Sequence, residues 1–329
     1  MMQELIRDFG NHVRKAISIG ENTDFSKTDI SFQNVLICGL GGSGIGGTII
    51  SQMLATECKI PICVNKDYHI PAFIGEKSLV ICCSYSGNTE ETLSMYEQAK
   101  AKGAEISIIT SGGKFAELAQ ENGHNILQIP GGHPPRAAFG LAFPQLLFTF
   151  QKYGLISSEK NDQLKGAIEL IDRKEESIQA AAKDLSEKLH QKLPIIYSES
   201  SLEGVGVRFR QQINENAKML CWHHVIPEMN HNELVGWRTQ NEDLAVVIFR
   251  SNADYYRNQK RIEYSKKVFA EYTSNINEVF AEGENAVERA IYLIHLGDWV
   301  SYFLAELKGI DSVEVDVITG LKNMLAGLD

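Results

Sequence analysis

Asn34-Val35-Leu36-Ile37-Cys38-Gly39-Leu40-Gly41-Gly42-Ser43-Gly44-Ile45-Gly46-Gly47 decides the fold of this 329-residue chain. Its first five residues form an apolar run without polar alternation, the pattern of a parallel strand buried on both faces. A glycine-rich turn follows at once and leads into a helical pattern over 45–56. A strand, a glycine turn and a helix in that order are either the tight strand–helix connection of any α/β protein or a cradle for an anion, and a second turn further along the chain decides for the cradle. The turn's backbone N–H groups point inward, and the helix start adds partial positive charge.

Outward from this stretch the pattern repeats. Leu79-Val80-Ile81-Cys82-Cys83 is a second apolar run, and Ser84-Tyr85-Ser86-Gly87-Asn88-Thr89-Glu90-Glu91-Thr92 is a second turn running into a helix. Gly39, Gly41 and Gly44 also satisfy the dinucleotide fingerprint, with Asp67 roughly where its ribose-binding acid would stand. A nicotinamide protein has no use for the hydroxyls of Ser84, Ser86 and Thr89, whereas a compact phosphomonoester does. With Gly42 and Ser43 of the first turn they are the candidate phosphate ligands.

Strands are expected near 34–38, 61–65, 78–83, 105–110 and 125–129. Helices are expected over 1–25, 45–56, 90–102 and 114–122. This alternation implies a doubly wound parallel sheet. A short apolar helix over 141–150 follows. The charged stretch 159–192 reads as a solvated linker helix. A second α/β series then has strands near 193–198, 244–249 and 276–280 and helices near 204–218, 258–271 and 284–307. It lacks a matching phosphate loop, because Glu199 in Ser198-Glu199-Ser200-Ser201 would repel a phosphate. We therefore expect two domains, 1–150 with the phosphate loops and 151–329.

Composition narrows the function. The net charge of −10 argues against nucleic acid as the main partner. No apolar run is long enough to span a bilayer, and the N-terminus is not of signal-peptide type. The six cysteines include no C-x-x-C pair and read as reduced thiols of a cytoplasmic protein.

The candidate chemistry lies between the series and in the second half. Arg136 follows two prolines in Gly131-Gly132-His133-Pro134-Pro135-Arg136, a stiff loop suited to holding a guanidinium against a developing oxyanion. Glu215 stands between Asn214 and Asn216 near a helix end. His231 lies in the polar loop Pro227-Glu228-Met229-Asn230-His231-Asn232-Glu233, and an imidazole there is a candidate acid or base. His223 and His224 are adjacent and point apart, so no metal set is completed.

These motifs, in this order, resemble the bifunctional phosphoglucose/phosphomannose isomerase family, which is built from two sugar isomerase (SIS) domains. The resemblance runs from Asn34 to the C-terminal helix. It implies two doubly wound parallel-sheet SIS domains with flanking helices, in which Ser43, Ser84, Ser86 and Thr89 bind the substrate phosphate. It further implies that Glu215 moves a proton between C1 and C2 and that Arg136 stabilises the enediolate. His231 would open the sugar ring from the neighbouring subunit of a homodimer. Lys322 would assist at the ring oxygen, with Lys308 as a rival placement. The implied reaction is aldose–ketose isomerisation of glucose 6-phosphate, and of mannose 6-phosphate as a further substrate; the family's epimer-selecting residue has no clear match within Asp311–Thr319. No cofactor or metal is required. A non-catalytic sugar-phosphate-binding SIS protein and an NAD-dependent oxidoreductase are the alternatives.

Overall fold

Two parallel sheets, each with its own helices on its inner face, pack together through those helices in the computed structural model, which describes residues 1–328. The chain opens with α1 (Met2–Arg7) and α2 (Phe9–Asn22), then alternates. The first half holds β1 (Asn34–Cys38), α3 (Gly41–Met53), β2 (Ile62–Asn65), β3 (Ser78–Ser84), α4 (Glu90–Ala101), β4 (Glu105–Thr110), α5 (Gly113–Asn122) and β5 (Asn125–Gln128). Next come α6 (Phe139–Lys152) and α7 (Glu159–Leu189). The second half holds β6 (Leu193–Glu199), α8 (Glu203–Ala217), β7 (Trp222–Ile226), β8 (Leu244–Arg250), α9 (Tyr256–Phe269), β9 (Ile276–Phe280), α10 (Ala286–Lys308) and α11 (Asp316–Leu325).

The first sheet runs β2-β1-β3-β4-β5, all parallel. The chain therefore reverses its direction of winding between β1 and β3, and ligands of open α/β sheets bind at such a point. The register sets Cys38 opposite Cys82, so the two strands end side by side. That alignment brings the Gly39–Gly44 turn and the Ser84–Thr89 turn together. In the dinucleotide-binding order 3-2-1-4-5-6, β1 would lie between β2 and β4. Here its second neighbour is β3, which removes the structural basis of the oxidoreductase alternative.

The second sheet runs β7-β6-β8-β9, again parallel. Successive strand residues face opposite sides. Val35 and Ile37 join Ile196, Val247 and Phe249 in the core between the sheets. Leu36 and Cys38 turn outward onto a second cluster with Met95, Tyr96 and Phe115 of α4 and α5. Tyr197 and Val246 turn outward onto Ile262 and Phe269 of α9.

Two expectations are corrected. Residues 159–189 are no solvated linker. Leu164, Ala167, Ile168, Ile171, Ile178, Ala182, Leu185 and Leu189 recur at helical spacing and are buried in the central core. Dense charge on the opposite face disguises this stripe. The strand β7 was not expected either, because Trp222-His223-His224-Val225 has no clean apolar alternation, and β7 is an edge strand pairing only with β6.

Candidate active site

Helix α3 begins at Gly41, earlier than the spacing suggested, so Gly42 and Ser43 belong to its first turn. Gly41 has φ +52°, which favours glycine. The first N–H groups of a helix lack intrahelical partners, and here they open at the switch point. A Cβ on Gly42 would press on the Pro135 carbonyl and the Arg136 backbone at 3.2–3.3 Å. The first turn therefore lies directly against the arginine loop.

Ser43 ties the two turns together: the Tyr85 backbone N–H donates to its Oγ at 3.1 Å. Ser84 is buried and structures its own loop. Its Oγ accepts from the Gly87 N–H at 3.1 Å and the Thr89 N–H at 3.4 Å and lies 2.8 Å from Thr89 Oγ1. Ser86 is exposed, with its Oγ accepting from the Asn88 N–H at 3.3 Å. The first two hydroxyls thus shape the cradle, and Ser86 stands at its open face.

Arg136 is 3% exposed and is held by both halves of the chain. Its Nε donates to Asn216 Oδ1 at 2.6 Å, and its Nη2 donates to the Ser312 and Val313 carbonyls at 2.7 and 2.9 Å. A guanidinium has five N–H donors. Three are spent on these bonds, which leaves both hydrogens of Nη1, and Nη1 stands 3.5 Å from Glu215 Oε2. Burial pulls the guanidinium below its ordinary pKa, while Glu215, then Asp311 and Glu314, pull it back up. An arginine so placed stays charged.

Glu215 sits in the last turn of α8, and its side chain is 27% exposed. One carboxylate edge is thus open beside the free nitrogen of Arg136. Asn216 is fully buried and passes the constraint on, donating from Nδ2 to Ser301 Oγ at 2.9 Å. Behind it, Arg208 and Asp298 form a buried pair at 2.8 Å that also takes a bond from Gln212. Arg208 donates in turn to the Arg136 carbonyl at 3.3 Å.

Lys218 caps α8 with φ +49°. Its Nζ donates at 2.8 Å to the carbonyls of Glu215, Asp311 and Glu314. It thereby fastens the segment that offers Ser312 and Val313 to Arg136. Asn216 was legible as a polar residue beside an acid, but its grip on Arg136 was not. Nothing in the sequence pointed to Lys218.

The contacts of the Arg136–Glu215 pair include neither His231 nor Lys322. His231 is exposed at the end of a 3-10 turn after β7. Lys322 is exposed on α11, which buries none of its residues. Lys308 Nζ donates to the Ala217 and Lys218 carbonyls at 2.8 and 3.0 Å and so closes the end of α8. No group of three His, Cys, Asp or Glu side chains is gathered for a metal among the described residues.

Residues 178–325 match the bacterial phospho-glucose isomerase C-terminal SIS domain. The chain is 40% identical to a bifunctional phosphoglucose/phosphomannose isomerase of Caldicellulosiruptor bescii over 99% of both proteins. It is 36% identical to that of Aquifex aeolicus over 92% of this chain and 93% of the relative. A D-glucosamine-6-phosphate 4-epimerase of Sulfolobus acidocaldarius is 31% identical over 66% of this chain and 68% of its own. Among solved structures, the C-terminal domain of glucosamine-fructose-6-phosphate aminotransferase from Francisella tularensis superposes with a TM-score of 0.75 at 17% identity, covering 95% of this chain and 98% of that one. Tagatose-6-phosphate ketose/aldose isomerase from Escherichia coli superposes at 0.69 and 15% identity over 95% of each. These superpositions establish the fold.

Proposed function

Because the chain belongs to the bifunctional phosphoglucose/phosphomannose isomerase family, we propose that it interconverts glucose 6-phosphate and mannose 6-phosphate with fructose 6-phosphate through a cis-enediol. One observation carries this reading for the chain's own residues: a buried, fixed arginine with one free nitrogen beside a part-exposed carboxylate, next to a two-turn anion cradle.

The roles follow from chemistry. The 6-phosphate sits between the two turns, taking backbone N–H groups near Gly42 and the hydroxyls of Ser43, Ser86 and Thr89, with Ser84 holding the second loop in shape. Glu215 removes the proton from C2 or C1 and returns it to the other carbon. Arg136 meets the negative charge that develops on the enediolate oxygen with a group already desolvated and aimed. A purely binding protein has no use for such a pair. The reaction requires no redox cofactor and no metal.

His231 opens the ring in the site of a second copy, and Lys322 assists at the ring oxygen. Two features support a homodimer. His231 stands exposed on the rim of the second sheet, and α11 displays Val317, Leu321 and Met324 to solvent. Lys308 is committed to the end of α8, which favours Lys322. We divide the chain near residue 150, since the first sheet lies within 34–128 and the second within 193–280. No helix among the described residues is long and apolar enough to cross a membrane, and we place the protein in the cytoplasm.

A coupled assay tests the proposal, offering each of the three hexose phosphates in the presence of EDTA. Turnover of glucose 6-phosphate is expected. Failure on all three substrates would overturn the reading, and 4-epimerisation of glucosamine 6-phosphate in their place would redirect it.

A further inference from the structure

Tyr85 lies between the phosphate-loop serines, and the roles above leave it unused. Yet it is where four loops at the sheet's carboxyl edge meet. Its backbone N–H donates to Ser43 Oγ in the first turn. Its carbonyl accepts from the Ser111 N–H at 3.0 Å and the Ser111 hydroxyl at 2.6 Å, after β4. Its phenol donates to the Pro130 carbonyl at 3.1 Å and accepts from the His133 N–H at 3.0 Å. Its ring packs with Ile129, Ala138 and Leu141.

The last two bonds bracket the arginine loop. Pro134 and Pro135 join His133 to Arg136, and the Ala137 N–H closes a turn onto the Pro134 carbonyl at 2.9 Å. Between the phenol and the guanidinium there is little freedom of rotation. We propose that Tyr85 is a positioning residue, whose hydroxyl holds the Arg136 loop in register with the phosphate cradle so that the reacting carbons fall between Glu215 and Arg136. This rests on the reading of Arg136 as the enediolate stabiliser. The reason for such a tie is geometric. The phosphate is anchored at C6 while the chemistry is at C1 and C2, so a small shift between the two loops displaces charge stabilisation from the oxygen that needs it.

Tyr85→Phe removes the hydroxyl alone. We expect kcat to fall about tenfold, while inhibition by inorganic phosphate stays at the wild-type level. A phosphorylated five-carbon aldonate, which mimics the enediolate, should bind more weakly by the same factor as kcat. In an Arg136→Lys background the substitution should cost nothing further, because a residue acting through Arg136 cannot act twice. Wild-type kcat in Tyr85→Phe, multiplying losses in the double variant, or weakened phosphate inhibition at unchanged kcat would each overturn the proposal. Full kcat in Arg136→Lys would sink the stabiliser reading and this one with it. An impaired Arg136→Lys beside a silent Tyr85→Phe sinks this one alone. If Tyr85→Phe fails to fold, Ser111→Ala loosens the same tyrosine and should show the same pattern at smaller amplitude; no loss of kcat there overturns the proposal.

Discussion

Arg136 reaches Glu215 through one nitrogen only, Nη1 to Oε2 at 3.5 Å, while its other donors are tied to Asn216, Ser312 and Val313. The arginine is thus fixed by groups other than the carboxylate it faces. Glu215 can gain and lose a proton without the guanidinium losing its place.

Glu215→Gln keeps the shape of the side chain and removes its basicity. We expect kcat to fall by about 10²–10⁴-fold, with sugar-phosphate affinity largely retained. In deuterated water the wild type should exchange deuterium into C2 of glucose 6-phosphate and the variant should not. Near-normal exchange in the variant would make Glu215 a structural acid.

The two loop serines should separate. Ser86→Ala removes an exposed hydroxyl and should raise KM with the melting temperature unchanged. Ser84→Ala leaves the Gly87 and Thr89 N–H groups without their acceptor in a buried loop. That should lower stability by about 1–3 kcal/mol as well as weaken binding. Denaturant melts beside steady-state kinetics distinguish them, and equal melting midpoints for both variants would contradict the assignment.

Asp298→Ala strands the Arg208 guanidinium, which is 2% exposed. Breaking a buried pair from one side costs about 3–5 kcal/mol. Because Arg208 also bonds the Arg136 carbonyl, residual folded enzyme should have lowered kcat. A variant that melts like the wild type would show that solvent reaches this pair.

Mixing tests the shared site. Glu215→Gln and His231→Ala homodimers should each be nearly inactive. If His231 serves the neighbouring subunit, subunit exchange makes hybrids with one intact site. Random reassortment then restores about a quarter of wild-type activity. No recovery after verified exchange would place His231 in its own subunit's site.

Asp254 gives a stability signature in pH. Burial raises its carboxyl from 3.8 to about 6, with Glu199 adding to the rise, while the Ser251 N–H, Arg250 and Arg289 oppose it. The folded state thus holds the proton more tightly than the unfolded chain. The stability this contributes is present in full below about pH 4 and is lost as pH rises through about 6. Asp254→Asn should be more stable than the wild type at pH 8 and should lack that loss between pH 4 and 6. Parallel pH profiles for the two proteins would refute the assignment.

Much of this was legible before the structure. Val35 to Cys38 and Leu79 to Cys83 announced themselves because strands buried on both faces carry uninterrupted apolar runs. The turns after them declared an anion site by glycine and hydroxyl content. What stayed hidden depends on partners distant in sequence. Lys218 is one lysine among many until the 311–314 segment folds onto it. The phenol of Tyr85 gains meaning only when residues 130–133 come alongside. The strand β7 escaped because an edge position relaxes the demand for apolar residues, and α7 misled because its charged face outnumbers its buried one.

The helices packed between the sheets tie the two halves together. Val35 and Ile37 on one side and Val247 and Phe249 on the other belong to a single apolar core, with α7 and α10 running through it. Neither half can be released without baring the face that its helices share with the other. Unfolding should therefore proceed as one cooperative step, and a protease nick in the 153–158 connection should leave the two fragments associated and refractory to separation short of denaturation.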